Sequence, residues 1–361
     1  MAEKANIGKR KADHIALCAT GDVGFRGVGT LLSDVRLVHD ALPDMHADEV
    51  DLSVRAFGKK LRAPIFIAAM TGGTDEATAI NHGLAKIAEE RGYGFGLGSQ
   101  RAMLVRPETR STFMVRGVLP TGVLLGNLGL VQARTMTTKE VQTLVDDVQA
   151  DGLCIHLNPA MELVQPEGDR DFRNGMETIE RLVKELSVPV VVKETGCGIS
   201  PSVGARVASI GVEYIDVSGA GGTSWVGVET MRAEEVGDTR SRSLGEALWD
   251  WGVPTAVSVA TVARTAKGVK IIATGGMSSG LDAARAIALG AHMVGIARPA
   301  LKAFHAGGRE GAIAFFDAFE AELRAAMLLT GSRTVADLRR ARKVVTGELR
   351  LWIDDLTGGE A

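Results

Sequence analysis

The chain holds only 3 cysteines, and Cys18, Cys154 and Cys197 have neither C-x-x-C spacing nor an even count. That excludes a disulfide framework and a cysteine-rich metal module. The opening "MAEKANIGKRKADHIAL" lacks the apolar core of a signal peptide, and the expectation is a reduced, cytoplasmic protein. No uninterrupted apolar run approaches the roughly 18 to 20 residues that span a bilayer, so no membrane partner is expected. Net charge is also scarce: 41 basic against 44 acidic residues leave -3. No overall field favours nucleic acid, and any anion site must be local.

What the chain has is glycine, 44 residues against 2 tyrosines in 361. Glycine collects where backbones turn tightly or approach a ligand closely. From about residue 63 one pattern recurs: a short apolar run, a polar corner, then a helical stretch. The runs are "PIFIAA" (64–69), "GFGLG" (94–98), "GVLLG" (122–126), "GLCIHL" (152–157), "VPVVVK" (188–193), "EYIDV" (213–217), "VKIIAT" (269–274) and "AHMVGI" (291–296). Runs without strict in-out alternation suit parallel strands covered on both faces, separated by helices such as "NHGLAKIAEERG" and "GLDAARAIALG". Eight such units predict an α/β fold, a (β/α)8 TIM barrel in one domain over 1–361. Residues 1–60 read as an irregular or short-strand N-terminal extension that caps a barrel end. Residues 299–361 read as additional C-terminal helices, among them the amphipathic "EGAIAFFDAFEAELRAAMLLTG", which either covers the barrel or joins copies of the chain.

In such a barrel, function sits on the loops that follow the strand C-termini. Here those corners read "MTGGT", "GSQR", "NLG", "HLNPAMELVQPEGD", "KETGCG", "SGAGGTSW", "GGMSSG" and "ARP". The last two place a glycine turn and an Ala-Arg pair at helix starts, where free N–H groups and the helix dipole favour a phosphate. Lys193 closes a run of valines and is expected to point into the mouth. It either pairs with Glu194 or Asp216, or faces the electron-rich edge of a flavin, and phosphate clamp plus lysine together suggest FMN. The basic segment "KRKADH", with Lys9, Arg10, Lys11 and His14, is a solvated tail or, with Arg101 and His156, a cationic pocket for a diphosphate. Glu162, close to His156 and Asn158, is the first choice to hold Mg²⁺, ahead of Glu167 and Asp169, because Mg²⁺ binds one or two carboxylates plus substrate oxygens.

At these residues the chain resembles the type 2, FMN-dependent isopentenyl diphosphate isomerases. "RKADH", "MTGG", "GSQRAML", "NLG", "HLN", "QPEGD", "KETGCG", "DVSGAGGTSW", "WGVPT" and "GLDAARAIALGA" carry the resemblance in order, over about residues 10 to 300. The resemblance implies interconversion of isopentenyl and dimethylallyl diphosphate, with Mg²⁺, with NADPH as flavin reductant, and with reduced flavin as acid and base. It implies flavin contacts at Ala69, Met70, Thr71, Ser99, Asn127, Lys193, Ser218 and Thr223, and phosphate contacts at Gly275, Gly276, Met277, Ala297 and Arg298. Arg10, Lys11, Ser99, Gln100, Arg101, His156 and Asn158 resemble the substrate set, and Glu162 the metal ligand. His156, Asn158, Met161 and Lys193 stand at the catalytic positions. A homo-oligomer is implied, with a prenyl diphosphate as the small-molecule partner.

Two positions depart from the family pattern. Met161 stands where glutamine is usual, removing an amide donor and acceptor for a soft apolar group. Ser278 stands where arginine is common. These departures leave three readings open: the isomerase itself, a related enzyme acting on a different prenyl diphosphate, or a non-catalytic flavoprotein. A 2-hydroxy-acid oxidase would need His and Arg in the sixth corner, and "SGAGGTSWVGVE" has neither.

Overall fold

A computed structural model describes residues 2–358, with side chains from Arg10 onward; the side chain of Lys9 lies outside the described residues. Eight parallel strands close into a barrel: β1 (Ile65–Ile67), β2 (Gly94–Gly96), β3 (Leu124–Gly129), β4 (Gly152–Leu157), β5 (Val190–Glu194), β6 (Tyr214–Asp216), β7 (Lys270–Ala273) and β8 (Met293–Ile296). Each expected run overlaps its strand, and six of the eight contain it whole; the fifth ends one residue short of Glu194. The third was set too early, because "GVLLGNLG" continues through Asn127 to Gly129 in register with β4, Gly129 opposite His156. Asn127 is therefore a strand residue and not a corner.

Side chains alternate across a strand, so every second residue faces the barrel axis. Phe66, Leu125, Cys154, Val191, Tyr214, Ile272 and Met293 form one apolar cluster inside the lower barrel. Two residues further along the same strands stand Ala68, Asn127, His156, Lys193, Asp216, Thr274 and Gly295. The inward row thus changes from apolar to polar within one pleat. Strand β2 contributes glycine to this interior, and a Cβ on Gly94 would lie 2.1 Å from the Phe66 ring. That ring fills the space instead.

The N-terminal extension departs from expectation. Residues Ala2–Thr20 form a helix, since the segment has no proline and is rich in alanine, the best helix former. This helix lies at the mouth, where Ser224 N–H donates to Val23 O at 2.8 Å and Trp249 Nε1 donates to Gly24 O at 2.8 Å. The Arg298 guanidinium donates to the carbonyls of Cys18 (2.9 Å) and Gly21 (2.5 Å), a cation at the helix C-terminus. The rest of the extension reaches the opposite end. Strands Val54–Ala56 and Lys59–Leu61 form a hairpin whose turn residues, Phe57 and Gly58, both have positive φ (50° and 73°), as a type I′ turn requires. Phe57 stacks on Tyr214 with ring centroids 4.0 Å apart, and its N–H donates to the Tyr214 hydroxyl at 3.0 Å. The extension therefore closes both ends of the barrel.

The long C-terminal helix Arg298–Leu328 breaks its helical geometry at Gly307 and Gly308. Its apolar face, with Ala312, Phe316, Phe319, Leu323 and Met327, is buried, and Phe316 packs edge-on against Tyr93. Of the two expected uses, that face serves to cover the barrel. Removing the hairpin plug tests how far the lower barrel depends on it: Phe57→Ala should lower unfolding free energy by about 3–5 kcal/mol in urea denaturation. Its effect on ligand binding at the far end should be small.

Candidate active site

Two adjoining cavities open at the strand C-termini, about 440 Å³ on the side of β6 to β8 and about 180 Å³ on the side of β2 to β5. They share Ala69, Met70, Thr71, Ser218, Thr274 and Ala297 and form one continuous mouth. Continuing the inward alternation by one more pair reaches Met70, Asn158, Thr195, Ser218, Gly276 and Ala297, each of which lines it. The site is thus the upper continuation of the barrel interior.

The larger cavity is a cradle of backbone. Gly275, Gly276 and Met277 precede the helix Gly280–Leu289, while Ala297 and Arg298 open the last long helix, and all five line the cavity with Thr223. Gly275 and Gly276 have φ of 103° and 69°, conformations that suit glycine. Ser218 also has positive φ, 36°, at the junction of the two cavities, and backbone strain of this kind gathers at functional sites. Ser278 lines the cradle too, but its hydroxyl donates to the Asp282 carboxylate at 3.0 Å. Two buried oxygens of the polar row, Thr274 Oγ1 and Asp216 Oδ1, have no partner. A flat heteroaromatic ligand with polar edges and a phosphate tail, such as FMN, fits this lining of glycines, helix N-termini and the unpaired Thr274 hydroxyl.

Of the readings its position left open, Lys193 makes the pair with Asp216. Its Nζ pairs with Asp216 Oδ2 at 3.1 Å and donates to Glu194 O at 2.9 Å, yet the residue lines the mouth, and an ammonium carries three donors. The Glu194 carboxylate is engaged elsewhere, accepting the N–H groups of Thr195, Gly196 and Cys197 at 2.5 to 2.7 Å. Burial pushes that carboxyl up to about 7, against the opposing pull of these donors.

The smaller cavity gathers the cations. Arg10, Lys11, Ser99 and Arg101 line it, opposite His156, Asn158, Met161 and Glu162. The basic N-terminal segment is thus no solvated tail. Burial, and then Arg10 and Arg106, pull the Lys11 amine down to about 7. Its Nζ donates to Ser99 O at 3.2 Å and sits 5.1 Å from the centre of the Phe113 ring. The helix carrying these residues is fixed by His14 Nε2 at 2.7 Å from Glu229 Oε1, whose other oxygen pairs with Arg232 at 2.6 Å.

Three expectations need correction or refinement here. His156 does not add to the positive charge: burial, with Lys193 nearby, pushes its imidazole down to about 4, so it is neutral near pH 7. Its Nδ1–H donates to Asn127 Oδ1 at 2.8 Å, which leaves Nε2 as an acceptor. Gln100 is not brought to the mouth; it is fully buried, donates to Leu144 O at 2.9 Å and accepts from Asn127 N at 3.0 Å, bracing β3 against its neighbouring helix. Glu162 is buried and held, accepting from Asn158 Nδ2 at 2.9 Å and Asp169 N at 2.8 Å. Among the described residues no group of three or more His, Cys, Asp or Glu could hold a metal. Each Glu162 oxygen retains a lone pair, so the carboxylate suits a cation shared with ligand oxygens.

Thr195, Gln132, Gln165, Trp225 and Thr274 also line the mouth and were not singled out from the sequence. Counting by two along β5 and β7 would have found Thr195 and Thr274. The Lys193–Asp216 pair yields a direct test. Lys193→Met strands a buried carboxylate and should reduce stability by about 3–5 kcal/mol, while Asp216→Asn in the same chain restores most of it, both read by urea denaturation.

Comparison with known proteins agrees with this geometry. The family model for FMN-dependent dehydrogenases matches residues 132–345. Two solved structures share the fold: a lactate oxidase of Pediococcus acidilactici (TM-score 0.68, 17% identity, 95% of this chain and 94% of that one) and a mandelate oxidase with (S)-2-phenylpropionate (TM-score 0.64, 18%, 95% and 98%). Sequence similarity is far higher to isopentenyl-diphosphate delta-isomerases. That of Methanothermobacter thermautotrophicus is 42% identical over 96% of both chains, and that of Thermococcus kodakarensis 45% identical over 96% of this chain and 93% of its own. The chain belongs to the isopentenyl-diphosphate delta-isomerase family, on the barrel of the FMN-dependent dehydrogenases.

Proposed function

We propose that this mouth interconverts isopentenyl and dimethylallyl diphosphate, with FMN in the glycine cradle, Mg²⁺ at Glu162 and NADPH as the flavin reductant. The observation that carries this reading is one continuous cavity joining a phosphate cradle to a cluster of Arg10, Lys11 and Arg101 opposite a single held carboxylate. Family membership sets the hydroxy-acid-oxidase reading aside. When bound, the reduced flavin supplies the acid and base that move a proton across the allyl unit.

The chain's own residues do the rest. Arg10 and Arg101 offer planar forks and Lys11 a point charge to the diphosphate, with the Ser99 hydroxyl beside them. Asn158 holds Glu162, and that carboxylate would hold a cation shared with diphosphate oxygens. Neutral His156, turned by Asn127, presents Nε2 as an acceptor and adds no charge that would compete with Lys193. The remaining donor of Lys193 would stabilise negative charge on the edge of a bound flavin. Met161 contributes an apolar thioether wall without a proton to give. That wall favours a second reading, turnover of a different prenyl diphosphate with a bulkier apolar end.

The test is the reduced, FMN-loaded protein with Mg²⁺ and isopentenyl diphosphate in D₂O. Dimethylallyl diphosphate carrying deuterium is expected. Activity gained only on Met161→Gln would assign the native chain to another prenyl diphosphate, and binding without exchange in either protein would leave a flavoprotein without turnover. The pH profile adds an independent check. Lys11 is a cation below about pH 7 and loses its charge above it, so diphosphate affinity is present at lower pH and falls as pH rises through that value. The kcat/KM limb above pH 7 should disappear in Lys11→Arg, whose guanidinium stays charged.

A further inference from the structure

The carboxamides around the smaller cavity differ in one respect. Asn127 holds His156, Asn158 donates to Glu162, and Gln132 donates to Asp169 at 3.4 Å. Gln165 lines the same cavity, is only 2% exposed, and its Nε2 has no hydrogen-bond partner. A buried N–H left unpaired is costly to a fold, and such a group calls for an explanation. Its backbone is well fixed: Gln165 N–H donates to Met161 O at 2.9 Å, and Gln165 O accepts from Gly168 N at 3.0 Å and Arg170 Nη2 at 3.2 Å. Only the side chain is free to respond, and the terminal torsion of a carboxamide is soft.

Its place on the chain says what it would meet. Gln165 closes the short helix Pro159–Val164, four residues after Met161 and three after Glu162, so all three project from neighbouring positions on one side of that helix. Met161 offers no donor there. Across the same cavity stands Arg10, whose Nε is likewise buried without a partner. Burial holds the Arg10 guanidinium below its ordinary value, while Glu229 and Glu162 oppose the shift. Two unpaired buried donors therefore border one cavity that also holds the acidic residue suited to a cation. An oxyanion between them satisfies both.

We propose that Gln165 is a substrate-holding residue, whose Nε2–H donates to an oxygen of the substrate's diphosphate opposite Arg10. The inference rests on the prenyl-diphosphate reading of this cavity. It gives the site a neutral donor next to Glu162, where a further cation would compete with Mg²⁺.

The experiment is calorimetric titration of the oxidised, FMN-loaded protein with Mg²⁺, using isopentenyl diphosphate and, separately, inorganic diphosphate, so that no turnover is required. Gln165→Leu should weaken both ligands by roughly tenfold to a hundredfold, the loss of one hydrogen bond to a charged group. The near-isosteric Gln165→Glu should weaken them at least as much. Without ligand, the melting temperature of Gln165→Leu should stay level or rise, because an unpaired amide has left the interior. Unchanged binding in both variants, or weaker binding of isopentenyl diphosphate alone, would overturn the inference. So would a lower melting temperature with undiminished affinity, the mark of a purely structural residue. If the unaltered protein binds neither ligand, the prenyl-diphosphate reading falls first and the inference with it.

Discussion

The alternation of side chains along eight short strands is the constraint on which the rest depends. A closed parallel barrel has one interior, and each strand delivers residues to it two apart. From Phe66, Leu125, Cys154, Val191, Tyr214 and Ile272 the count reaches Ala68, Asn127, His156, Lys193, Asp216 and Thr274, and then Met70, Gly129, Asn158, Thr195, Ser218 and Gly276. A one-residue slip in any strand would send its polar member into the helical layer and an apolar one into the mouth. Apolar packing below therefore fixes the register of the chemistry above. The Lys193–Asp216 pair bridges β5 and β6, two strands whose register sets Lys193 opposite Asp216.

The N-terminal extension completes what the barrel cannot do alone. A barrel has two open ends, and the same 60 residues supply an aromatic plug to one and a cationic helix to the other. At the base, Phe57 takes a strained positive φ to place its ring on Tyr214, and burial of that ring offsets the strain. At the mouth, a ladder runs from His14 to Glu229 to Arg232 to Asp13 and back to the helix. Burying Arg10 and Lys11 at the mouth carries an electrostatic penalty, visible in the lowered affinity of Lys11 for its proton. An anion bound beside Arg10 and Lys11 would offset that penalty by favouring their charged forms.

Much of this was legible in the sequence, and the physics explains which parts. Eight apolar runs with glycine corners identify the barrel because burial on both faces forces continuous hydrophobicity. Corner residues such as Ser218, Gly275 and Arg298 follow once the strands are placed. The helix Ala2–Thr20 has the alanine to form but gives little amphipathic signal in its polar, basic sequence, and what holds it to the barrel is tertiary, through Arg298, Trp225 and Glu229. The family resemblance groups Gln100 with its neighbours Ser99 and Arg101 as a substrate contact, and only those two line the mouth. Residues at successive positions do not share a direction, and Gln100 turns inward to brace Asn127. The charge of His156 was equally invisible, since it is set by burial beside Lys193, a residue 37 positions away that β-pairing brings opposite it.

That neutral histidine changes how the polar wall is read. With His156 uncharged, the cations around the smaller cavity divide into two sets: Arg10, Lys11 and Arg101 lining it from the N-terminal helix and second corner, and Lys193 in the barrel wall, where Asp216 balances it. The first set suits an anion that arrives and leaves; the second suits a cofactor that stays. Neutral amides and a thioether stand between them, and here Met161 and Gln165 share one short helix. With methionine at 161, Gln165 at the C-terminal end of that helix keeps a carboxamide donor in the cavity, while the wall at 161 is apolar. On the proposed reading, discrimination among prenyl diphosphates would rest on the shape of that wall, because every candidate carries the same head group. A methylene more or less against a thioether changes binding by a modest factor, so specificity at this wall is expected to be graded rather than absolute.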